Sequence, residues 1–266
     1  MAARIWIDSD VALGAARGDV DDGWAIAAVL RAPGVELAGI SAVAGNVDAA
    51  CAADCARRLV AAAGARVDVV PAAEAPARIA ALPAGTHVLA LGPLSNVARA
   101  LALDPSLATR VRVSLVGGNL SSWGRWPPVW PFEFNLAKDA AAARALFASP
   151  LPRAVYPLDV CRALTVGARD LLRIARGSPL AAYLVRHSWR WLAYAPVRYR
   201  RLRFPLWDLV PALDALALLP ATHATRPLAC IKRGLLVDDA TATPAEVLTS
   251  LAPAPALAAL AALLSR

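Results

Sequence analysis

Five aspartates lie within fifteen residues near the start of the chain, in a stretch that is otherwise mostly apolar. They are Asp8, Asp10, Asp19, Asp21 and Asp22. Carboxylates this close together repel one another, and apolar surroundings add to the cost of their charges. Gathered at one place, they could share a hard cation such as Ca²⁺, which takes roughly six to eight oxygen ligands from carboxylates, backbone carbonyls and water.

Asp21 and Asp22 taken alone have a simpler explanation. They open the segment DDGWAIAAVLRA (21–32), whose apolar spacing is helical, and acidic residues at a helix start cap it and interact favourably with its dipole. Asp8 and Asp10, however, end the apolar run that precedes this segment. The two pairs together favour a cation site over capping.

The elements that must position these residues alternate between strand and helix. Apolar runs typical of buried strands are RIWID (4–8), VELAGISAVA (35–44), VDVV (67–70), THVLAL (86–91), VRVSLVGG (111–118) and AVYPLDV (154–160). Helices are predicted at 21–32, 49–64, 94–103 and 138–149, and the apolar tail 251–266 is predicted to be a final helix packed on the core. This alternation predicts one α/β domain over residues 1–266, Rossmann-like, with a mostly parallel central sheet flanked by helices. Ligands of such sheets bind beyond the carboxyl ends of the strands, where Asp8, Asp10, Asn46 and Leu91 fall.

Composition limits the class of protein. The chain has 266 residues, is 58% hydrophobic and has a mean hydropathy of +0.50. It contains no uncharged apolar run of about 18 residues, so no membrane association is predicted. The start of the chain lacks the apolar segment of a signal peptide, which predicts a cytoplasmic protein. The four cysteines show no metal-ligand spacing and are predicted to be buried, reduced thiols.

The net charge of +8 is carried almost entirely by arginine. Because these arginines are spread along the chain, they do not indicate nucleic-acid binding. One denser cluster, RYRRLR (198–203), is either a solvated loop or an anion-binding or lid segment.

Taken in order, these segments resemble the inosine-uridine type of nucleoside hydrolase. The first signature of that family is a strand ending in Asp-x-Asp, then a tight turn, then Asp-Asp at a helix start. Here Asp8-Ser9-Asp10 and Asp21-Asp22-Gly23 are separated by a longer loop, VALGAARGDV. Further similar segments follow in the family's order: VAGNV (43–47), LALGPLSN (89–96), LVGGN (115–119), PFEFNLAKD (131–139), YPLDVCRALTV (156–166) and PLWDLVPALDAL (205–216).

The resemblance implies calcium-dependent hydrolysis of the N-glycosidic bond of ribonucleosides, in a homodimer or homotetramer. It implies Ca²⁺ ligands at Asp10, Asp22, Asp208 and the backbone carbonyl of Leu91, with Asp10 also taking the proton from the bound water. The implied substrate-binding residues are Asp21 and Asn135 at the ribose 2′- and 3′-hydroxyls, Glu133 and its neighbour Phe134 towards the 5′ side, Asp208, and Asn46, which with Asp8 would orient the ligands from behind.

This sequence departs from the family pattern in three places. Trp207 precedes Asp208 where many members have histidine, which resembles the purine-specific branch and implies that Trp207 stacks on the base as a catalytic aromatic. The segment after residue 76 is shorter than the family's base-covering loop. The asparagine expected before Glu133 is missing; Asn119 could substitute, and Trp123, Trp126 and Trp130 could form an aromatic wall or a subunit contact.

Two other functions remain open. A haloacid-dehalogenase-like phosphatase also begins with an apolar strand and Asp-x-Asp, but it needs a positioned lysine, and the chain has only Lys138 and Lys232. A nucleoside-binding relative without activity is favoured by the short loop and the missing histidine, and disfavoured by the retained carboxylates. Ribose release from inosine separates hydrolysis from binding, and phosphate release identifies a phosphatase.

Overall fold

A nine-stranded sheet forms the centre of the computed structural model, which describes residues 3–16, 18–120 and 132–266. In chain order its strands are β1 (Ala3–Ser9), β2 (Val35–Ala42), β3 (Val69–Val70), β4 (Thr86–Ala90), β5 (Val111–Val116), β6 (Arg153–Tyr156), β9 (Ala221–Ile231), β10 (Leu235–Asp238) and β11 (Pro244–Leu251). Their order across the sheet is β10-β9-β11-β6-β5-β4-β1-β2-β3. All neighbouring pairs are parallel except β11 with β9 and β9 with β10. A separate antiparallel pair is formed by β7 (Thr165–Gly167) and β8 (Arg203–Pro205).

Helices connect the strands and cover the sheet. They are α1 (Asp21–Arg31), α2 (Ala49–Ala62), α3 (Ala75–Ala80), α4 (Ser95–Leu103), α5 (Leu107–Arg110), α6 (Phe134–Lys138), α7 (Ala140–Ala148), α8 (Leu158–Cys161), α9 (Ala168–Ile174), α10 (Pro179–Tyr199), α11 (Leu209–Ala215) and α12 (Pro253–Leu264).

The apolar core lies on both faces of the sheet. Successive side chains of a strand point to opposite faces, and the buried residues divide accordingly. Ile5 and Ile7 of β1 and Leu89 of β4 belong to one core cluster, whereas Trp6 and Val88 belong to the other. Strands buried on both faces explain the nearly continuous apolar runs in the sequence.

The chain reverses its direction across the sheet at β1. β1 lies between β2 and β4, so β2 and β3 extend the sheet to one side, and β4, β5 and β6 extend it to the other. The carboxyl ends are joined there by backbone hydrogen bonds, from Leu91 N to Asp8 O (2.8 Å) and from Val43 N to Ser9 O (3.1 Å). A crevice opens at such a reversal, and it is the usual ligand site of parallel α/β sheets.

The predicted fold class is confirmed, and with it the mostly parallel sheet flanked by helices. The predicted strand over 154–160 is wrong in its second half, since β6 ends at Tyr156 and α8 begins at Leu158. Pro157 between them has no N–H and cannot continue a ladder. An apolar run alone does not distinguish a strand from a strand followed by a buried helical turn.

The helix predicted over 138–149 begins later than expected, because Lys138 ends α6 and α7 runs from Ala140 to Ala148. Asp139, with φ −136° and ψ 75°, separates α6 from α7, and its Oδ1 accepts a hydrogen bond from Ala142 N (3.0 Å) as the N-cap of α7. Aspartate competes with helix formation in this way through its short polar side chain.

Other boundaries differ by a few residues, as element ends usually do. The strands predicted at 35–44, 67–70 and 111–118 are observed at Val35–Ala42, Val69–Val70 and Val111–Val116. Leu251 ends β11, and the final helix then packs Leu257, Leu260, Leu263 and Leu264 into the core, as predicted for the tail.

The four cysteines are free thiols, as predicted, with Cys51 half-buried and the other three buried. Among the described residues, no helix combines the length and apolar character needed to cross a membrane.

Candidate metal and substrate site

Asp10 occupies a closely fitted position beyond the carboxyl end of β1. It is 1% exposed, and its Oδ2 accepts a hydrogen bond from Asn46 N (2.6 Å). A Cβ at Gly45 would lie 1.9 Å from Oδ2, and a Cβ at Gly92 would lie 2.8 Å from Oδ1. The turns after β2 and β4 therefore enclose this carboxylate because each places a glycine against it.

Asp22 and Asp21 lie in the first turn of α1, and neither caps the helix through a side-chain bond at the N-cap position. Ser9 Oγ donates to Asp22 Oδ1 (2.5 Å), which ties α1 to the end of β1. Asp21 Oδ2 accepts from Asp208 N (3.4 Å) at the start of α11. The starts of α1 and α11 therefore meet at the same place, and their dipoles favour negative charge there.

Behind Asp10, a buried polar network fixes Asp8. Its Oδ1 accepts from Ser41 Oγ (2.5 Å) on β2 and from Asn96 Nδ2 (2.8 Å) on α4. Ser41 Oγ in turn accepts from Trp6 Nε1 (2.9 Å). Burial raises the pKa of Asp8 to about 6, although the hydrogen bonds from Asn96 and Ser41 act in the opposite direction.

Asn135 contacts the residue that was predicted to offer its carbonyl to calcium. Its Nδ2 donates to Leu91 O (2.8 Å). A carbonyl oxygen has two lone pairs, so one remains available for a cation. The structure thus brings Asn135 next to Leu91.

Glu133 serves as the N-cap of α6. Its Oε1 accepts from Asn135 N (2.8 Å) and its Oε2 from Leu136 N (2.9 Å), and it is 3% exposed. Burial raises its pKa to about 7 against these hydrogen bonds. Phe134 is exposed, with Lys138 Nζ 5.5 Å from its ring centre, and Asn119 is half-buried after β5.

Trp207 forms an aromatic pair with Tyr199 at the end of α10. Their ring centres are 5.9 Å apart, and the planes are inclined at 64°. The Nε1 atom of Trp207 is buried without a hydrogen-bond partner among the described residues. Burial raises the pKa of Tyr199; the charges of Asp21 and Asp19 add to this rise, and the charge of Arg198 opposes it. Trp207 directly precedes Asp208 in the chain.

His187 lies on the other side of the loop between Asp10 and Asp21, on α10. Its ring packs against Tyr183 with 4.6 Å between ring centres, and a Cβ at Gly14 would be 3.1 Å from it. With Gly14, Trp191 and Tyr194 it lines a cavity of about 630 Å³ between this loop and α10.

A third acidic side chain joins the pair at the start of α1. One oxygen from each of Asp19, Asp21 and Asp22 lies within 4.8 Å of the other two, and in the part of the chain that the structure describes no other three Asp, Glu, His or Cys side chains meet this criterion. Asp19 was not among the predicted ligands, whereas the predicted carboxylate ligands Asp10, Asp22 and Asp208 do not meet this criterion as a group.

The carboxylates strongly perturb one another. Burial raises the pKa of Asp10 to about 7. The charges of Asp21 and Asp8 add to this rise, and the hydrogen bond from the Asn46 backbone N–H opposes it. Burial raises the pKa of Asp208 well above its usual range, and four neighbouring aspartates add to the rise: Asp21, Asp22, Asp10 and Asp19. At neutral pH these groups cannot all be ionised unless positive charge compensates them.

The donor set suits a hard cation. Five buried carboxylate oxygens of this cluster have no hydrogen-bond partner within the described residues: Asp8 Oδ2, Asp10 Oδ1, Asp19 Oδ1, Asp22 Oδ2 and Asp208 Oδ1. Carboxylate and carbonyl oxygens are the ligands that Ca²⁺ and Mg²⁺ prefer, and neither sulfur nor imidazole takes part. An acidic cluster able to hold a metal ion is therefore present.

Two further segments were singled out in the sequence, the tryptophan-rich stretch before Glu133 and the arginine cluster 198–203. Trp123, Trp126 and Trp130 lie outside the described residues. Of the arginine cluster, Arg198 still belongs to α10, and Arg203 Nη2 pairs with Asp170 Oδ2 (2.9 Å) beside β8.

Sequence reasoning missed several residues of the site, namely Ser9, Asp19, Ser41, Asn96 and Tyr199. Ser9 and Asn96 lie inside segments already singled out, so their spacing could have suggested a role. Ser41 and Tyr199 also lie in segments named above, VELAGISAVA and RYRRLR, but neither pattern signals that these two side chains reach this edge of the sheet.

Comparison with known proteins decides the family. The profile of "Inosine-uridine preferring nucleoside hydrolase" matches residues 5–86 and 77–251. The chain belongs to this family. A curated family relative, the pyrimidine-specific ribonucleoside hydrolase RihA of Salmonella typhimurium, is 33% identical over 95 residues, which is 35% of this chain. The matched part spans 30% of the length of that relative.

Solved structures share the nucleoside hydrolase fold over the whole chain. A plant nucleoside hydrolase, PpNRh1, is 20% identical with a TM-score of 0.86, covering 100% of this chain and 99% of its own. A purine-preferring ribonucleoside hydrolase from Gardnerella vaginalis is 18% identical with a TM-score of 0.82, covering 98% and 99%.

We expect Gly45→Ala to destabilise the protein by about 1–3 kcal/mol, because the new methyl group overlaps the Asp10 carboxylate in a closed site. Chemical unfolding monitored by circular dichroism measures this. Gly167→Ala is the control, since its Cβ would come no closer than 3.1 Å to any other atom, and that nearest atom is Nη1 at the flexible end of Arg203. Equal stability of Gly45→Ala and wild type would show that Asp10 is not confined as described.

Proposed function

We propose that the chain hydrolyses the N-glycosidic bond of ribonucleosides, with Ca²⁺ as its cofactor and purine nucleosides as its preferred substrates. The observation that carries this proposal is the group of buried carboxylates with unpartnered oxygens at the reversal of the sheet, in a chain of this family. Buried acids of this kind are costly unless they serve a ligand or a reaction.

Asp10, Asp22, Asp208 and the Leu91 carbonyl are the proposed Ca²⁺ ligands. When bound there, the ion would lower the pKa of a water molecule. Asp10 is the proposed acceptor of a proton from such a water. Support comes from its Oδ1, which has no hydrogen-bond partner among the described residues, while Asn46 N holds its Oδ2.

Hydrolysis breaks the bond between ribose C1′ and the base nitrogen. The base keeps the electron pair of that bond and takes a proton from solvent water, while the attacking water oxygen bonds to C1′ and its proton passes to Asp10. The sugar acquires positive charge on the way, which the surrounding carboxylates stabilise. Asp21 and Asn135 are proposed to hold the 2′- and 3′-hydroxyls. The bond from Asn135 Nδ2 to the Leu91 carbonyl supports this by bringing Asn135 beside a proposed Ca²⁺ ligand. Glu133 is proposed to face the 5′ side with Phe134, using the lone pairs that its capping bonds leave free.

The purine preference rests on Trp207. Its ring packs against the ring of Tyr199 and is proposed to stack on the base beside the carboxylates. A purine presents a larger face and a ring nitrogen, N7, that can be protonated as it leaves. The pyrimidine-specific name of the RihA relative supports a second candidate, a preference for pyrimidine nucleosides.

Asp10→Asn should lower the rate of ribose release from inosine about 10²- to 10⁴-fold, the usual contribution of a general base. A reducing-sugar assay with added Ca²⁺ measures it. Asp54→Asn is the matched control, because Asp54 is exposed on α2 and pairs there with Arg57. Near wild-type release by Asp10→Asn would exclude this mechanism, and wild-type binding of inosine without any release would identify a binding protein.

Trp207→Ala should reduce inosine turnover about tenfold to a hundredfold, because a base–aromatic stack contributes about 1–3 kcal/mol. Turnover of inosine, guanosine, uridine and cytidine by wild type and variant gives the preference. Trp189→Ala, at an exposed tryptophan of α10, is the control. Faster turnover of uridine than of inosine by wild type would establish the pyrimidine candidate instead.

A further inference from the structure

The loop between the two aspartate pairs is folded back on itself. Ala15 N donates to Ala12 O (2.9 Å), and Gly18 N donates to Ala15 O (3.3 Å). A Cβ at Gly18 would lie 2.2 Å from Ala12 O, so only glycine permits this approach. Ala12 and Leu13 are fully buried. The residue that follows Gly18, Asp19, therefore starts from a fixed backbone position.

Asp19 turns its carboxylate towards the site rather than towards solvent. Its Oδ1 is buried and has no hydrogen-bond partner among the described residues. The N-cap position of α1 belongs to Val20, so capping does not account for Asp19. Burial raises the pKa of Asp19 well above its usual range, the charges of Asp21 and Asp10 add to this, and a hydrogen bond from the Asn46 side chain opposes it. Asn46, whose backbone N–H holds Asp10, therefore lies close to Asp19 as well.

The carboxylate oxygens of Asp19, Asp21 and Asp22 lie close enough together to bind one ion. Oxygens that bind Ca²⁺ lie about 2.4 Å from it, so two ligand oxygens can be at most about 4.8 Å apart. Asp19, Asp21 and Asp22 each offer an oxygen within that limit. Independent support for a cation comes from Asp10 Oδ1 and Asp208 Oδ1, which are unpartnered on side chains only 1% and 6% exposed.

We propose that Asp19 is a direct ligand of the cation at this site, an additional carboxylate that the lengthened loop of this chain supplies. The inference rests on the metal site of the proposed function, not on the reaction. A further carboxylate raises the negative charge around the ion, which tightens binding and favours ions of higher charge.

The test compares Asp19→Ala with wild type, both full length and stripped of metal with a chelator. Calorimetric titration with Ca²⁺ should show affinity at least about tenfold lower in the variant, since the number of charged ligands sets the affinity of oxygen-ligand sites. Tb³⁺ is the second probe, because its luminescence lifetimes in H₂O and D₂O count bound water. The variant should hold about one more water molecule, which fills the vacated ligand position.

Asp54→Ala is the matched control, since it removes an exposed carboxylate of α2 and should change neither quantity. Unchanged Ca²⁺ affinity in Asp19→Ala would overturn the inference. Lower affinity with an unchanged water count would also overturn it, because Asp19 would then act only through space. Should Asp19→Ala fail to fold, the isosteric Asp19→Asn provides the same affinity comparison. Ribose release by wild type is assayed separately, so its absence would count against the proposed function and leave the ligand assignment standing.

Discussion

Several carboxylates held together away from water impose the constraint on which this structure depends. A buried carboxylate loses its hydration, and each like charge nearby raises the cost of ionising it. Here that cost appears as the raised pKa values of Asp8, Asp10 and Asp208. The surroundings offset part of it with donors, namely the Ser9 and Ser41 hydroxyls, the Asn96 amide and the Asn46 backbone N–H. Five buried carboxylate oxygens of the cluster remain unpartnered among the described residues, and a cation is a partner that would satisfy several of them together.

The topology of the sheet places these groups in one crevice. Asp10 follows β1, Asn46 follows β2 and Leu91 follows β4, and these are the strands that meet where the chain reverses direction. The starts of α1 and α11 add Asp22 and Asp208 from the two helices. Residues from five separate segments therefore converge, although none of these segments could position a cation alone. The close fit of Gly45 and Gly92 against Asp10 shows how little room the backbone leaves.

Much of this was predictable from the sequence because it depends on local signals. Apolar runs followed by glycine-containing turns predicted β1, β2, β4 and β5 and the edge at which their polar residues gather. The resemblance of ordered segments predicted the family. The roles of Asp10, Asp22, Asp208 and the Leu91 carbonyl as ligands stay predictions.

The rest depended on contacts between distant parts of the chain. Asp19 was counted among the five aspartates but given no role, since no spacing rule shows that a lengthened loop will fold back and turn its last carboxylate inward. Asn96 lies in a segment that was singled out, but its bond to Asp8 spans 88 positions of sequence and depends on the packing of α4. The break at Asp139 and the early end of β6 at Pro157 were missed because apolar periodicity outweighed the local chemistry of those two residues.

The central claim is that this cluster is built for a cation, and thermal unfolding of the metal-stripped protein at neutral pH tests it most directly. A ligand that binds only the folded state stabilises it by about 2.7 kcal/mol at a hundredfold excess over its Kd. For a chain of this size, the unfolding temperature should then rise by about 5–10 °C as Ca²⁺ is added. An unfolding temperature that stays constant or falls with Ca²⁺, and rises only when the pH is lowered, would contradict the account, because protons rather than a cation would then be what the carboxylates hold.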